Sequence, residues 1–267
     1  MAKPKVIKQA DKETLLYGGK VKIEFYESRH QYFATDVKSG AKTKPISVTK
    51  VTGLIDKSGP LMFWAINLAK DHLKMILGVR SIEHDDIEVA GSLHRVRKEA
   101  AADTGTNIHN WAELYIKAKL AGNPQPELPE DPQVLNGILA FLKWEEEHDV
   151  KFIESEKLLY SRKHDYVGLM DAKAIVDGKL SCIDFKTGKN IYPEHLFQTA
   201  AYQAADMEES KEKYTGPRWI VQFGKDSGEF HAASFDNLDD DYYAFLGLLD
   251  ARRRLTEVEA EFKSNGK

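Results

Sequence analysis

The sequence predicts an α/β (α+β) chain, and three observations carry that prediction. Residues 21–33 (VKIEFYESRHQYF) are rich in β-formers and alternate in part. Apolar residues recur at helical offsets from Leu61 to Leu77. Three strand-like runs, Lys151–Ser161, Tyr166–Val176 and Lys179–Phe185, follow a second helical segment.

Taken in order, the N-terminal β-element continues in a short segment at Ile46–Val51 after Pro45, and Ser58-Gly59-Pro60 punctuates the chain before the first long helix. Residues 82–101 read as further helix. Asp103-Thr104-Gly105-Thr106 predicts a break and an N-cap, so a third helix is expected to begin near Thr106 and run to Ala121. Four prolines between Gly122 and Pro132 predict a surface loop, because a helix interior does not tolerate them. Helical spacing resumes at Val134–Glu147. After the three strand-like runs come a helix at Pro193–Met207, strands at Arg218–Phe223 and Glu229–Phe235 around a Gly224–Gly228 turn, and a closing amphipathic helix at Asp239–Phe262. The organisation expected is a β-rich N-terminal extension (1–60), a helical region (61–148), a core (149–235) and a C-terminal helix (236–267), together forming one compact domain.

Composition excludes several classes. At 267 residues, with 42% hydrophobic and 30% charged residues, the chain is ordinary globular protein and not a disordered or fibrous one. Its longest apolar stretches, such as Leu61–Ala69, fall well short of the ~20 residues that span a bilayer. Residues 1–20 mix lysines with Asp11 and Glu13 and lack an apolar core, which argues against a secretory signal. The single cysteine, Cys182, excludes a disulfide framework, a four-cysteine zinc site and a four-cysteine iron–sulfur cluster within one chain, and suits a reducing cytoplasm. The net charge of -4 is unevenly placed. Residues 1–60 hold eleven Lys and one Arg against six acids, whereas Asp236–Glu261 holds eight acids against three arginines. The basic end suits a polyanion, and an ordinary solvated surface accounts for it equally well. Phosphate-loop, GxSxG and HExxH patterns are absent.

The chemistry begins at Asp177-Gly178. This dipeptide between β-rich runs is a strong signal for a two-residue type I′ hairpin, and the turn fixes the register. Cross-strand partners then have numbers summing to 355, so Asp171 faces Asp184. Like charges placed directly opposite are destabilising. Lys186, two residues beyond Asp184, shares their face, while Met170, Ala172, Ala174, Val176, Ile183 and Phe185 form an apolar opposite face suited to packing on helices. A buried salt-bridge cluster is the plain alternative for such a group. Two acids with one lysine instead favour a divalent cation: Mg²⁺ (or Mn²⁺) takes oxygen ligands, commonly one or two carboxylates with water and substrate phosphate completing the shell. Such a centre suits phosphodiester hydrolysis, although an oxygen-rich site serves other hydrolases as well.

Gly168-Leu-Met-Asp171, Asp184-Phe-Lys186-Thr-Gly188 and Gln198-Thr-Ala-Ala-Tyr202, in this order, resemble the motifs of the PD-(D/E)XK nuclease superfamily, in its RecB-like, phage-type exonuclease branch. Gly105-Thr-Asn-Ile-His109 is similar to the Gly-x-x-x-His helix of that branch, and His30-Gln31-Tyr32 followed by Pro45-Ile-Ser-Val-Thr49 resembles the N-terminal part of phage-type members. The resemblance covers roughly residues 30–235. It implies a restriction-endonuclease-like core, a central mixed sheet flanked by helices, with Mg²⁺ or Mn²⁺ bound by Asp171, Asp184, the main-chain carbonyl of Phe185 and the upstream His109. Lys186 would then be catalytic, with Gln198 and Tyr202 beside the site on one helical face. Glu113, one turn after His109, orients the imidazole or lies near the ion in this reading. Glu156 resembles a recurrent family glutamate, although Glu154 falls on the same strand face.

The activity implied is a metal-dependent DNA exonuclease of bacterial or phage recombination and repair, acting in the cytoplasm on single- or double-stranded DNA with an end. A recombination or single-strand-binding protein is the partner class, no membrane is involved, and both monomers and ring-shaped oligomers occur among relatives. A structure-specific or restriction-like endonuclease, and a non-catalytic DNA-binding protein that retains the fold, remain the alternatives.

Overall fold

The computed structural model describes residues 10–265, so the first nine residues of the segment read as lacking a secretory signal lie outside the described residues. Among the described residues there are two sheets. The first is antiparallel, in the order β1 (Lys12–Leu16), β2 (Val21–Tyr26), β3 (Gln31–Asp36) and β4 (Lys42–Thr43). It docks on the rest of the chain through a small cluster of Leu16, Val21, Ile23 and Ala34 around Tyr160, and the Tyr17 hydroxyl donates to the Tyr160 carbonyl at 2.7 Å.

The second sheet is central and mixed, with helices on both faces. Its path is β10 (Phe230–Phe235), β9 (Arg218–Phe223), β8 (Lys179–Lys186), β7 (Tyr166–Val176) and β5 (Ile46–Ser47), while β6 (Val150–Ser161) also pairs with β7. Strands β8 and β9 run parallel, as do β5 and β7; the other pairs are antiparallel. The hairpin register is the one the turn dictates, from Val176 opposite Lys179 to Ala172 opposite Ile183. Both turn residues take positive φ, 51° at Asp177 and 79° at Gly178, as a type I′ turn requires. An aspartate tolerates that backbone, and here its carboxylate also accepts from the Asp149 N–H at 3.1 Å, tying the hairpin tip to the start of β6.

The placement of β5 has a geometric consequence. Strand β6 occupies one edge of β7 along its length, so β5 and β8 must share the other edge, β5 at Tyr166 and Val167 and β8 from Ala172 onward. Residues 168–171 have no partner strand on that edge. The opening in the sheet is where the site forms.

On one face of the sheet lie α3 (His84–Ala121) and α4 (Pro132–Glu147). Helix α4 starts with Pro132 in its first turn, and the Asp131 carboxylate caps it by accepting from the N–H groups of Gln133 and Val134. Its Val134, Ile138, Phe141 and Trp144 recur at helical spacing and are buried against Ala172, Ala174, Val176, Ile183 and Phe185. On the other face lie α1 (Val48–Thr52), α5 (Pro193–Ser210) and α6 (Leu238–Asn265), whose Val48, Val51, Ala201, Tyr202, Ala205, Phe245 and Leu249 pack on Leu159, Tyr166, Met170 and Cys182. Burying a large apolar side chain of this kind contributes roughly 1.5–3 kcal/mol.

Three expectations are corrected. The segment 46–51 is strand only at Ile46 and Ser47; helix α1 begins at Val48, where the chain leaves the sheet edge. Residues 103–106 do not break the helix, because α3 runs through them without interruption. Met170 does not share a face with Ala172: it packs with α5, while Ala172 packs with α4. The break in alternation lies opposite Glu156 of β6, which stands at φ 51° between the Ser155–Ala172 and Lys157–Met170 pairs.

The α2 helix (Ser58–Leu77) follows the expected span but buries none of its residues. Among the described residues, no helix is long and apolar enough to cross a membrane.

Candidate active site

The hydrogen-bonded ladder between β7 and β8 ends one pair before Asp171 and Asp184. If the ladder continued, the Phe185 N–H would reach across to Met170. Instead it donates to Asp171 Oδ2 at 2.6 Å, so the Asp171 carboxylate itself closes the strand pair. Both aspartates line one cavity of about 390 Å³ in the opening of the sheet, together with His109, Lys186, Gln198 and Tyr202.

Asp184 is buried at 1% exposure, and its environment is divided between its two oxygens. Oδ1 accepts from Gln198 Nε2 at 3.0 Å. Oδ2 lies 2.5 Å from Lys186 Nζ and, among the described residues, has no aligned hydrogen-bond donor. Burial raises the Asp184 carboxyl above its ordinary value, Asp171 adds repulsion, and the Lys186 ammonium opposes both. Gln198 closes the group, because its carbonyl accepts from Lys186 Nζ at 3.3 Å and its amide also donates to the Tyr202 hydroxyl at 2.9 Å. Burial and the nearby Asp184 push the Tyr202 phenol well up, so it is a neutral group in this site.

A second cavity, of about 430 Å³, meets the first at Asp171, His109 and Thr187 and is lined also by Glu113 and Glu156. His109 Nδ1 lies 4.0 Å from Asp171 Oδ2. Glu113 is one turn further along α3 and pairs with Lys117. Burial, Asp171 and Glu113 raise the Glu156 carboxyl to about 8. The backbone separates Glu154 from Glu156. Glu154 pairs with Lys157 at 2.6 Å, whereas the irregular Glu156 lines the site cavity. A positive φ at a glutamate leaves no mark in the sequence.

His195, in the first turn of α5, is a residue that the motifs did not indicate. Burial and the Lys186 ammonium lower it to about 4, so it is a neutral imidazole next to the cation, and its Nδ1 accepts from the Tyr192 N–H at 3.2 Å. An N-terminal Pro-x-His turn carries too little pattern to be read as functional.

Two glycines of the motifs have a steric reason. A Cβ on Gly168 would stand 2.5 Å from the Tyr202 ring and 3.1 Å from Val48, and one on Gly105 would stand 2.6 Å from the Thr187 hydroxyl. The same closeness explains why α3 does not break at Gly105: the glycine lets a continuous helix lie against the loop after β8.

The donor set suits a hard cation. Asp184 is buried with the Lys186 ammonium beside its Oδ2, Asp171 lines the same cavity, and Glu156 is a carboxyl destabilised as an anion by burial and its neighbours. Among the described residues, no three His, Cys, Asp or Glu side chains converge into a cage. Two carboxylates with water and phosphate oxygens are a normal shell for Mg²⁺, while soft or tetrahedral metals need more side-chain ligands than this.

No family model matches the chain, and no curated protein does. Among solved structures, the chain is similar to the alkaline exonuclease LHK-Exo from Laribacter hongkongensis, at 12% identity over 82% of this chain and 94% of that one, with a TM-score of 0.32. It is likewise similar to LHK-Exo in complex with dAMP, at 13% identity over the same shares, with a TM-score of 0.33.

Proposed function

We propose that the chain is a metal-dependent DNA exonuclease of the PD-(D/E)XK superfamily, in its RecB-like, phage-type branch. The observation that carries this reading is the meeting of Asp171, Asp184 and Lys186 in one cavity. In it, Asp171, Asp184 and the Phe185 carbonyl would hold Mg²⁺ or Mn²⁺, with His109 as a further ligand and Glu113 to orient the imidazole. When bound, the ion polarises the phosphoryl oxygen and acidifies an attacking water.

The remaining chemistry belongs to the side chains. Lys186 Nζ stands beside Asp184 and Gln198, where it can hold the attacking water and balance the negative charge that grows on the phosphorane. Gln198 fixes both Lys186 and Asp184, so the ammonium and the carboxylate keep one geometry as charge moves. Tyr202 holds the Gln198 amide from below. The neutral His195 adds no second positive charge beside Lys186.

The setting assigned is DNA recombination or repair in a bacterial or phage-infected cytoplasm, with a recombination or single-strand-binding protein as partner. The deciding experiment compares end-labelled linear DNA with closed circular DNA in Mg²⁺, Mn²⁺ and EDTA. Loss of mononucleotides from linear DNA alone, in either metal and not in EDTA, is the expected result; cutting of the circle makes the enzyme an endonuclease. Lys186→Ala is expected to abolish cleavage while its circular dichroism and melting stay like those of the parent, and turnover by the purified variant would remove Lys186 from the mechanism.

A further inference from the structure

His30, Tyr32 and Ser47 line the catalytic cavity and also a second, larger one of about 600 Å³ that opens beyond them. The wall on one side of this cleft is the segment leading into α1 together with α1 itself, which contribute Lys44 and Lys50. The wall on the other side is α6, which contributes Arg252 and Arg253. Lys50 is steadied by the His30 carbonyl at 3.2 Å, and Arg253 by the carbonyl of His164 and by Asp250 at 3.6 Å. Lys44 and Arg252 have no carboxylate partner among the described residues. The one acid on the lining, Glu257, already accepts from Arg254 at 3.1 Å. Residues 236–261 are acidic when counted along the chain, yet two of their three arginines reach this cleft.

Four cations line a groove that leads directly to two carboxylates, and two of them, Lys44 and Arg252, have no carboxylate among the described residues to neutralise them. Such a groove concentrates a polyanion, and a polyanion threaded past it would bring its phosphates to the catalytic cavity. At the waist between the two cavities stand the rings of His30 and Tyr32, 6.3 Å apart and edge to face. A positively charged groove with aromatic faces along it is the arrangement that holds unpaired nucleotides, since only a base outside a duplex exposes its face to a ring.

We infer that this cleft is the track of one DNA strand, whose phosphates lie on Lys44, Lys50, Arg252 and Arg253 and whose base meets the His30–Tyr32 waist next to the scissile bond. The inference rests on the proposed nuclease function for its substrate class, and its test separates the two. Fluorescent fifteen-residue oligo-dT is titrated with the protein in EDTA, by anisotropy, at a series of NaCl concentrations. The Lys44→Gln/Arg252→Gln variant is expected to bind at least 10-fold more weakly at low salt. The slope of log affinity against log salt is expected to fall by about 1.4, from ~0.7 per neutralised phosphate contact on a single strand. Lys151→Gln, on the exposed part of β6, is expected to bind like the parent.

Unchanged affinity and slope in the double variant would overturn the cleft, as would equal weakening by Lys151→Gln. A blunt duplex that loses as much affinity as oligo-dT would overturn the single-strand assignment. Should the parent protein fail to cleave any DNA in Mg²⁺ while the double variant still loses oligo-dT binding, the nuclease reading falls and the cleft stands.

Discussion

Gln198 joins three polar members of the site: its amide donates to Asp184 and Tyr202, and its carbonyl accepts from Lys186. Replacing it with alanine leaves a buried carboxylate and an ammonium with nothing to set their distance. Gln198→Ala is therefore expected to lower kcat by roughly 10–100-fold, the usual effect of losing a group that orients a metal ligand, and to raise the Mg²⁺ concentration needed for half-maximal rate. A purely structural glutamine would lower stability without shifting that Mg²⁺ dependence. Glu156 provides a second residue-scale prediction. Its folded carboxyl sits at about 8 against an ordinary 4.5, so the folded state holds the proton more tightly than the unfolded one. The stability tied to that proton is present below about 4.5 and lost as pH rises through about 8. Urea unfolding in EDTA at pH 5.5 and pH 8.5 is expected to show Glu156→Gln gaining on the parent at the higher pH; a constant difference would mean that Glu156 titrates normally. The register that pairs the two aspartates was legible from Asp177-Gly178 alone, because a two-residue turn leaves one solution. The side to which Glu156 points was not, because it depends on a single backbone dihedral.

At the scale of elements, the glycines decide how closely helices approach the sheet opening. Gly168 lies under the Tyr202 ring of α5, which is itself buried and cannot withdraw. Gly168→Ala is expected to cost about 1–3 kcal/mol by overpacking and to reduce activity by moving α5, and with it Gln198, away from β7. The Gly168→Ala/Tyr202→Phe variant keeps the clashing ring and should recover nothing in thermal melting, whereas Gly168→Ala/Tyr202→Ala should recover part of the loss relative to Tyr202→Ala alone. Equal melting of Gly168→Ala and the parent would show that the helix yields without penalty. This scale also explains a misread boundary. Asp103-Thr104-Gly105-Thr106 has the composition of a cap, but Thr104 Oγ1 bonds back to the Ala100 carbonyl at 3.0 Å and Gly105 faces Thr187. Local signals for a cap and for a close helix contact use the same residues, and only the tertiary neighbour distinguishes them.

At the scale of the whole molecule, a buried ion network fastens the sheet to its helical layer on the α5 side. Asp206 on α5 is fully buried and pairs with Lys157 of β6 at 2.7 Å and Lys173 of β7 at 2.8 Å, and it accepts from the Tyr214 hydroxyl at 2.8 Å. Burial alone would raise this carboxyl, but Lys157, Lys173 and Tyr214 outweigh it and hold the group below the ordinary carboxylate range. A depressed carboxyl contributes stability above its unfolded value, 3.8, and surrenders it as pH falls through the lower folded value. Nothing in the sequence pattern reveals that α5 delivers an aspartate to Lys173, because the partner lies 33 residues away across a layer. Asp206→Asn keeps the shape and removes the charge, leaving two lysines, one of them only 3% exposed, without their shared counter-ion. Removing one partner of a buried pair is expected to destabilise by about 3–5 kcal/mol. In guanidinium titrations at pH 7 the variant should unfold at much lower denaturant, and between pH 5 and pH 2 its stability should fall less steeply than that of the parent. A variant as stable as the parent at pH 7 would mean that the two lysines reach solvent or other acids once Asp206 is neutral, and that the fastening of α5 to the sheet is apolar.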